Sequence, residues 1–161
     1  MTTIAYRAGV MACDSCYAFG NMVDTLSPKV HRLRSGALLG QAGANDSRSV
    51  VALFDQVCRD VATLPDAAAL KQLDVDFMGL LVFPAEPRRL FKVSIDEIAK
   101  PTGLDTGIWE IEAPFTAIGS GESYAIGAFE AGADAVRAVE IACRRDINSR
   151  PPIHVFNIKG E

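Results

Sequence analysis

The chain has 161 residues and a mass of 17.2 kDa, which is room for one ordinary domain and no second sizeable one. Hydrophobic residues make up 49% and charged residues 22%, globular values that exclude a disordered chain. Lys plus Arg number 16 against 20 Asp plus Glu, and a net charge of −4 argues against a nucleic-acid partner, which would need a basic face. No apolar run reaches the roughly 18 residues of a membrane span, so no membrane partner is expected either.

Met1-Thr2-Thr3-Ile4-Ala5 lacks the charged-then-apolar layout of a signal peptide, so the expected compartment is the cytoplasm. There, Cys13, Cys16, Cys58 and Cys143 do not read as a disulfide framework. The only histidines, His31 and His154, are too few for a His-rich metal site, and neither a metal nor any other cofactor is expected.

Thr2 to Arg7 leans towards strand, and Val10 to Cys13 follows after Ala8-Gly9, giving a first hairpin. A loop is expected through Phe19-Gly20-Asn21. Lys29–Leu33 and Ala37–Leu39 flank Arg34-Ser35-Gly36 as a second hairpin. A helix is predicted from Ser47 to Thr63, with Val50, Leu53, Phe54, Val57 and Val61 on its apolar face. Asp46 or Ser47 would cap it, Asp55 and Arg59 would pair outside, and Pro65 would end it. Asp66 to Leu73 reads as a short helix. Phe77 to Phe83 is a nearly continuous apolar run, as in a strand buried on both faces. Further strands are expected at Leu90–Ile95, Ile108–Ile111 and Phe115–Ile118.

Glu122 to Ala133 then forms a helix rich in Ala and Gly. Asp134 caps another, with Val136, Val139 and Cys143 inward and Arg144 and Arg145 at its C-terminal end, where the helix dipole favours cations. Ile153 to Ile158 is a last strand. Strands that cluster instead of alternating with helices argue for antiparallel sheets with helices layered outside.

Several segments could carry chemistry. Removal of Met1 would leave Thr2 with a free amine and a hydroxyl on one residue. A threonine hydroxyl needs an adjacent base, and an α-amine with a pKa of about 7.7–8.0 is one. Taken alone, Thr2 is more often an ordinary strand residue, since many chains begin Met-Thr and Thr is common in strands. Gly119-Ser120-Gly121 could hold a phosphate but lacks the lysine of a P-loop. Cys13-Asp14-Ser15-Cys16 has the spacing of a redox pair or half a zinc site, but no second ligand pair recurs, so both cysteines read as packing residues. His31 alternates to the same face as Lys29 and reads as a hydrogen-bonded histidine.

The succession Thr2-Thr3-Ile4-Ala5, Ala12-Cys13-Asp14-Ser15, Pro28-Lys29-Val30-His31-Arg32-Leu33 and Gly40-Gln41-Ala42-Gly43 resembles the start of proteasome β-subunits and the bacterial peptidase HslV, which are N-terminal nucleophile hydrolases. The resemblance resumes with Ala117-Ile118-Gly119-Ser120-Gly121 and Tyr124-Ala125. It runs on through Ala138-Val139-Glu140-Ile141-Ala142 to Asp146 and Ser149. It spans about residues 2–60 and 115–158.

The resemblance implies an α+β fold: a four-layer αββα sandwich of two antiparallel sheets flanked by helices, made by residues 1–161 as one domain. It implies a threonine peptidase acting on peptides or unfolded proteins within a self-compartmentalising homo-oligomeric ring, with an AAA+ unfoldase as a possible partner. Thr2 looks like the nucleophile, and Lys29 like the buried lysine beside it, oriented by Asp14. Gly43 looks like the oxyanion donor. Ser120, Asp146 and Ser149 look like the cluster that orients the α-amine. Gln41 and Ala44 look like substrate-binding residues, and the polar Gln41 disfavours a large apolar side chain on the acyl side of the cut. The alternative is a non-catalytic relative that keeps Met1, for example a structural or phage-encoded accessory subunit.

Overall fold

The computed structural model describes residues 2–19, 22–25, 28–43, 48–73, 75–95 and 106–160. Strands β1 (Thr3–Arg7) and β2 (Val10–Cys13) form the first hairpin around Ala8-Gly9, both with positive φ. The expected loop beyond Cys13 is instead a hairpin, β3 (Cys16–Phe19) and β4 (Met22–Thr25), with Phe19 opposite Met22. The physical signal is local: β-prone residues surround Gly20-Asn21, a dipeptide suited to two-residue hairpin connections. Gly20 and Asn21 themselves lie outside the described residues.

The second hairpin pairs β5 (Val30–Arg32) with β6 (Leu38–Gly43), which runs on past Leu39 through Gln41 to Gly43. Helix α1 (Arg48–Val57) stops well short of Thr63. Its last bond is Cys58 N–H to Phe54 O. Beyond it, Thr63 Oγ1 accepts the N–H groups of Arg59 and Asp60 at 2.8 and 3.0 Å, and Asp60 Oδ1 accepts that of Ala62. Side chains thus capture the donors that would have continued the helix, and Pro65 has no part in ending it. Asp55 pairs with Arg34, not Arg59, accepting its backbone N–H at 2.8 Å. The expected caps, Asp46 and Ser47, lie outside the described residues.

Asp66 caps α2 (Ala67–Lys71) through the N–H of Ala69. Strands β7 (Phe77–Val82), β8 (Leu90–Ile95), β9 (Gly107–Ile111) and β10 (Phe115–Gly119) follow. Helix α3 (Glu122–Glu130) precedes α4 (Ala135–Arg145), which Asp134 caps through the N–H of Arg137. The buried ridge of α4 is Ala135, Ala138, Val139 and Ala142; Val136 and Cys143 flank it half-buried instead of facing fully inward. Strand β11 (His154–Asn157) comes last. No helix among the described residues is long and apolar enough to cross a membrane.

Two sheets are stacked, ordered β10-β1-β2-β11 and β5-β6-β7-β8-β9, and every pairing within them is antiparallel. Side-chain alternation sorts the core into three interfaces. Ile4, Tyr6, Met11 and Cys13 of the first sheet meet Leu38, Leu80, Val82 and Leu90 of the second. Leu39, Leu81, Phe91 and Val93 point the other way and pack under Val50, Phe54 and Leu70 of α1 and α2. On the opposite outer face, Ala5, Ala12 and Ala117 meet Ala125, Ala128, Ala138 and Val139 of α3 and α4. Alanine facing alanine brings those helices close to the first sheet. The result is the expected α+β, four-layer αββα sandwich. Each fully buried Leu, Val or Phe contributes about 1.5–3 kcal/mol to it.

Candidate active site at the start of the first strand

Strand β1 lies between β10 and β2, and that position builds the site. The register sets Thr3 opposite Gly119 on one side and Ile4 opposite Cys13 on the other. The beginning of the chain is therefore held between the β10–α3 turn, which carries Ser120, and the corner after β2, which carries Asp14.

Asp14 is fully buried and accepts from four donors. Its Oδ1 takes the N–H of the Thr2–Thr3 peptide at 2.8 Å and Lys29 Nζ at 3.0 Å. Its Oδ2 takes the backbone N–H groups of Cys16 at 2.8 Å and Arg150 at 3.1 Å. A buried carboxylate needs this degree of saturation. Lys29, 2% exposed, also donates to Cys16 O and lies 5.0 Å from the Tyr17 ring centroid. Lys29 and the Thr2–Thr3 peptide thus share one oxygen, which puts the ammonium beside the start of the chain.

On the other side, Thr2 N–H donates to Ser120 Oγ at 3.3 Å, and Ser120 Oγ donates to Asp146 Oδ2 at 2.6 Å. Ser149 Oγ donates to the same Oδ2 at 2.7 Å. Because that hydroxyl spends its hydrogen on Asp146, the 2.6 Å contact between Thr3 Oγ1 and Ser149 Oγ has Thr3 donating. Thr3 is fully buried and was not among the residues singled out from sequence. Its signal was Gly121, where a Cβ would collide with Thr3 Oγ1. At Gly119 (φ +97°) a Cβ would collide with Thr2 O. Both glycines exist to let the chain's beginning lie against this turn.

Asp146, Ile147, Asn148 and Ser149 form a helix-ending turn, a conformation Asp, Asn and Ser favour: Asp146 N–H bonds Ala142 O, and Asp146 Oδ1 accepts from Asn148 N–H at 3.2 Å. Burial alone would raise the Asp146 carboxyl. The hydrogen bonds from Ser120, Ser149 and the Asn148 backbone outweigh it and hold the group below the usual carboxylate range. A depressed folded value contributes stability that is complete above the ordinary carboxylate range and is lost as pH falls through that depressed value. Asp146→Asn is therefore expected to be less stable than the parent near neutral pH and to lose less on acidification; urea melts between about pH 7 and about pH 3 check it.

Gln41 is 8% exposed and its backbone N–H bonds Lys29 O at 2.8 Å. Its side-chain Oε1 lies 3.2 Å from His31 Nε2, so His31 is hydrogen-bonded, as its strand position suggested. Gly43 ends β6 with φ +106°, where a Cβ would press on Asp76 O. Ala44 lies outside the described residues. Cys13 sits in the inter-sheet core, and burial pushes its thiol up to about 11, which suits a packing residue.

No family model matches the sequence, and no curated protein matches it. Solved structures do. A Thiobacillus denitrificans protein, BPH, superposes with a TM-score of 0.63 at 19% identity, over 96% of this chain and 95% of that one. The same protein in complex with epoxomicin gives a TM-score of 0.64 at 19% identity, over 96% of each chain. Eukaryotic HslV from Trypanosoma brucei gives 0.66 at 16% identity, over 96% of this chain and 97% of that one. The order of layers, the central first strand and these superpositions agree: the chain has the proteasome β-subunit and HslV-like fold of the N-terminal nucleophile hydrolases.

Proposed function

We propose that the chain is an N-terminal threonine peptidase that acts once Met1 is removed. The single observation that carries this reading is the sharing of Asp14 Oδ1 between Lys29 and the Thr2–Thr3 peptide, opposite a Thr2 nitrogen held by Ser120. With a free amine, Thr2 supplies both partners of acyl transfer. The amine lone pair accepts the hydroxyl proton while Oγ attacks the scissile carbonyl carbon. The Lys29 ammonium favours the developing alkoxide. The Gly43 N–H stabilises the oxyanion, a contribution typically of about 2.7–4 kcal/mol.

The protonated amine then gives its proton to the leaving amine, and the C–N bond breaks to leave a Thr2 ester. Water, deprotonated by the same amine, cleaves that ester and restores the site. Ser120, held by Asp146, fixes the nitrogen so that its lone pair faces its own hydroxyl. Gln41 and Ala44 meet the substrate. The substrates are peptides or unfolded proteins, and the working form is a homo-oligomeric ring, with an AAA+ unfoldase as partner. The fold shared with a protein solved with epoxomicin supports this choice over other chemistries of the fold.

The test is an alanine-terminated peptide epoxyketone, whose two-step addition requires an amine and a hydroxyl on the same residue. The expected result is an intact mass lacking one methionine and a single adduct mapped to Thr2. Uniform retention of Met1, with no adduct, would instead assign the chain a structural or accessory role.

A further inference from the structure

The segment that enters β1 has every backbone N–H and C=O of its first two described residues in use. Thr2 N–H donates to Ser120 Oγ at 3.3 Å, and Thr2 O accepts from Gly121 N–H at 3.5 Å. Thr3 N–H donates to Asp14 Oδ1 at 2.8 Å, and Thr3 O accepts from Asp14 N–H at 3.1 Å. The Thr3 hydroxyl is held as well, by Ser149 Oγ. Thr2 is 3% exposed and Thr3 fully buried, and burial continues through Ile4, Ala5 and Tyr6. Strands β2 and β10 enclose this stretch on either side.

The peptide bond before Thr2 is the one whose hydrolysis frees the amine. Water adds across it: the hydroxyl goes to the Met1 carbonyl carbon and the hydrogen to the Thr2 nitrogen, so methionine leaves and Thr2 gains a primary amine. An aminopeptidase has to close around that bond and hold the residues beyond it extended. The groups it would hold are those already paired with Ser120, Gly121 and Asp14. Backbone groups paired inside a sheet become available to a second protein only when the segment detaches.

Nor do the described residues supply a base with which the folded chain could cut the bond itself. While Met1 is attached, the Thr2 nitrogen is an amide and accepts no proton. The hydroxyls of Ser120 and Ser149 are directed at Asp146, and the Lys29 ammonium at Asp14 and Cys16 O.

We propose that Met1 is removed by a methionine aminopeptidase before β1 docks between β2 and β10, and that a chain which folds first keeps Met1 for as long as it stays folded. The sequestration stands whatever Thr2 does; its consequence for activity rests on the peptidase reading. On that reading, the fraction of active subunits is set by a race between excision and folding. One sequence then yields both a catalytic and a non-catalytic subunit.

The test starts from the full chain made by cell-free synthesis without aminopeptidase, so that Met1 is kept, and then folded. Purified methionine aminopeptidase is added and methionine loss is followed by intact mass, beside the free peptide Met1-Thr2-Thr3-Ile4-Ala5-Tyr6. The folded chain is expected to lose methionine at least about 100-fold more slowly than the peptide, because cleavage follows the small population of detached segment. The same chain synthesised with the aminopeptidase present is expected to lose it fully. Ser120→Ala removes one tether without adding bulk and should speed loss from the folded chain by about tenfold, with a urea melt to show that the variant is folded. Loss from the folded parent at the peptide's rate, loss with no aminopeptidase added, or a folded Ser120→Ala chain processed no faster than the parent would overturn the proposal and leave the peptidase reading intact. Failure of the epoxyketone to modify the methionine-free chain would overturn the peptidase reading and leave the order of excision and folding standing.

Discussion

Thr2→Ala is expected to reduce peptide hydrolysis by at least about 10⁴-fold while the protein folds and assembles as before. The size follows from what is lost. Alanine keeps the amine, so the general base survives, but no oxygen remains to attack the carbonyl or carry the acyl group. Removal of a covalent nucleophile leaves only binding and oxyanion stabilisation. Structure should be spared, because the bonds that hold this end of the chain are made by its backbone: Thr2 N–H to Ser120, and the Thr2–Thr3 peptide N–H to Asp14. The measurements are kcat/KM on a fluorogenic peptide and size-exclusion profiles of both proteins. A variant retaining a tenth of the parent's activity would remove Thr2 from the reaction.

Lys29→Ala has the second largest expected effect, and it has two separable parts. Loss of the ammonium beside the hydroxyl should lower kcat/KM by about 10²–10⁴-fold. Loss of one member of a buried pair also leaves Asp14 without its cation, and a break of that kind typically destabilises by about 3–5 kcal/mol. Lys29 is 2% exposed and Asp14 is fully buried, so solvent does not screen this pair away. The double variant Lys29→Met with Asp14→Asn distinguishes the parts. It leaves no unpaired charge, so urea stability should recover only in part, because the amide offers one acceptor oxygen to the three backbone N–H groups the carboxylate took, while activity does not recover. Recovery of activity in the double variant would mean that Lys29 serves the fold alone.

Much of this was legible in the sequence because local chemistry and tertiary context agreed. Asp134 caps a helix where its position said it would, and the apolar run from Phe77 is buried on both faces because sheet and helix cover it from opposite sides. The residues around the site came from a resemblance; by residue type alone Asp14 and Lys29 could be an ordinary surface pair and Asp146 a turn former. Only the stacking of β1 between β2 and β10 brings those two readings together. The end of α1 was misread because Thr63 and Asp60 compete for backbone donors, an effect invisible to apolar periodicity. Thr3 was missed because it earns its role through a partner far along the chain, Ser149.

The carboxylate of Asp14 also ties the start of the first strand to a segment far along the chain. One of its four donors is the backbone of Arg150, separated from it by 136 positions, and Thr3 waits on Ser149 across 146. Contacts of that span close the largest loops and form late. A nascent polypeptide still emerging from the ribosome lacks the segment that completes both clusters. On the peptidase reading, the Thr2 hydroxyl stays unaligned until the segment carrying Ser149 and Arg150 has folded back onto β1 and β2.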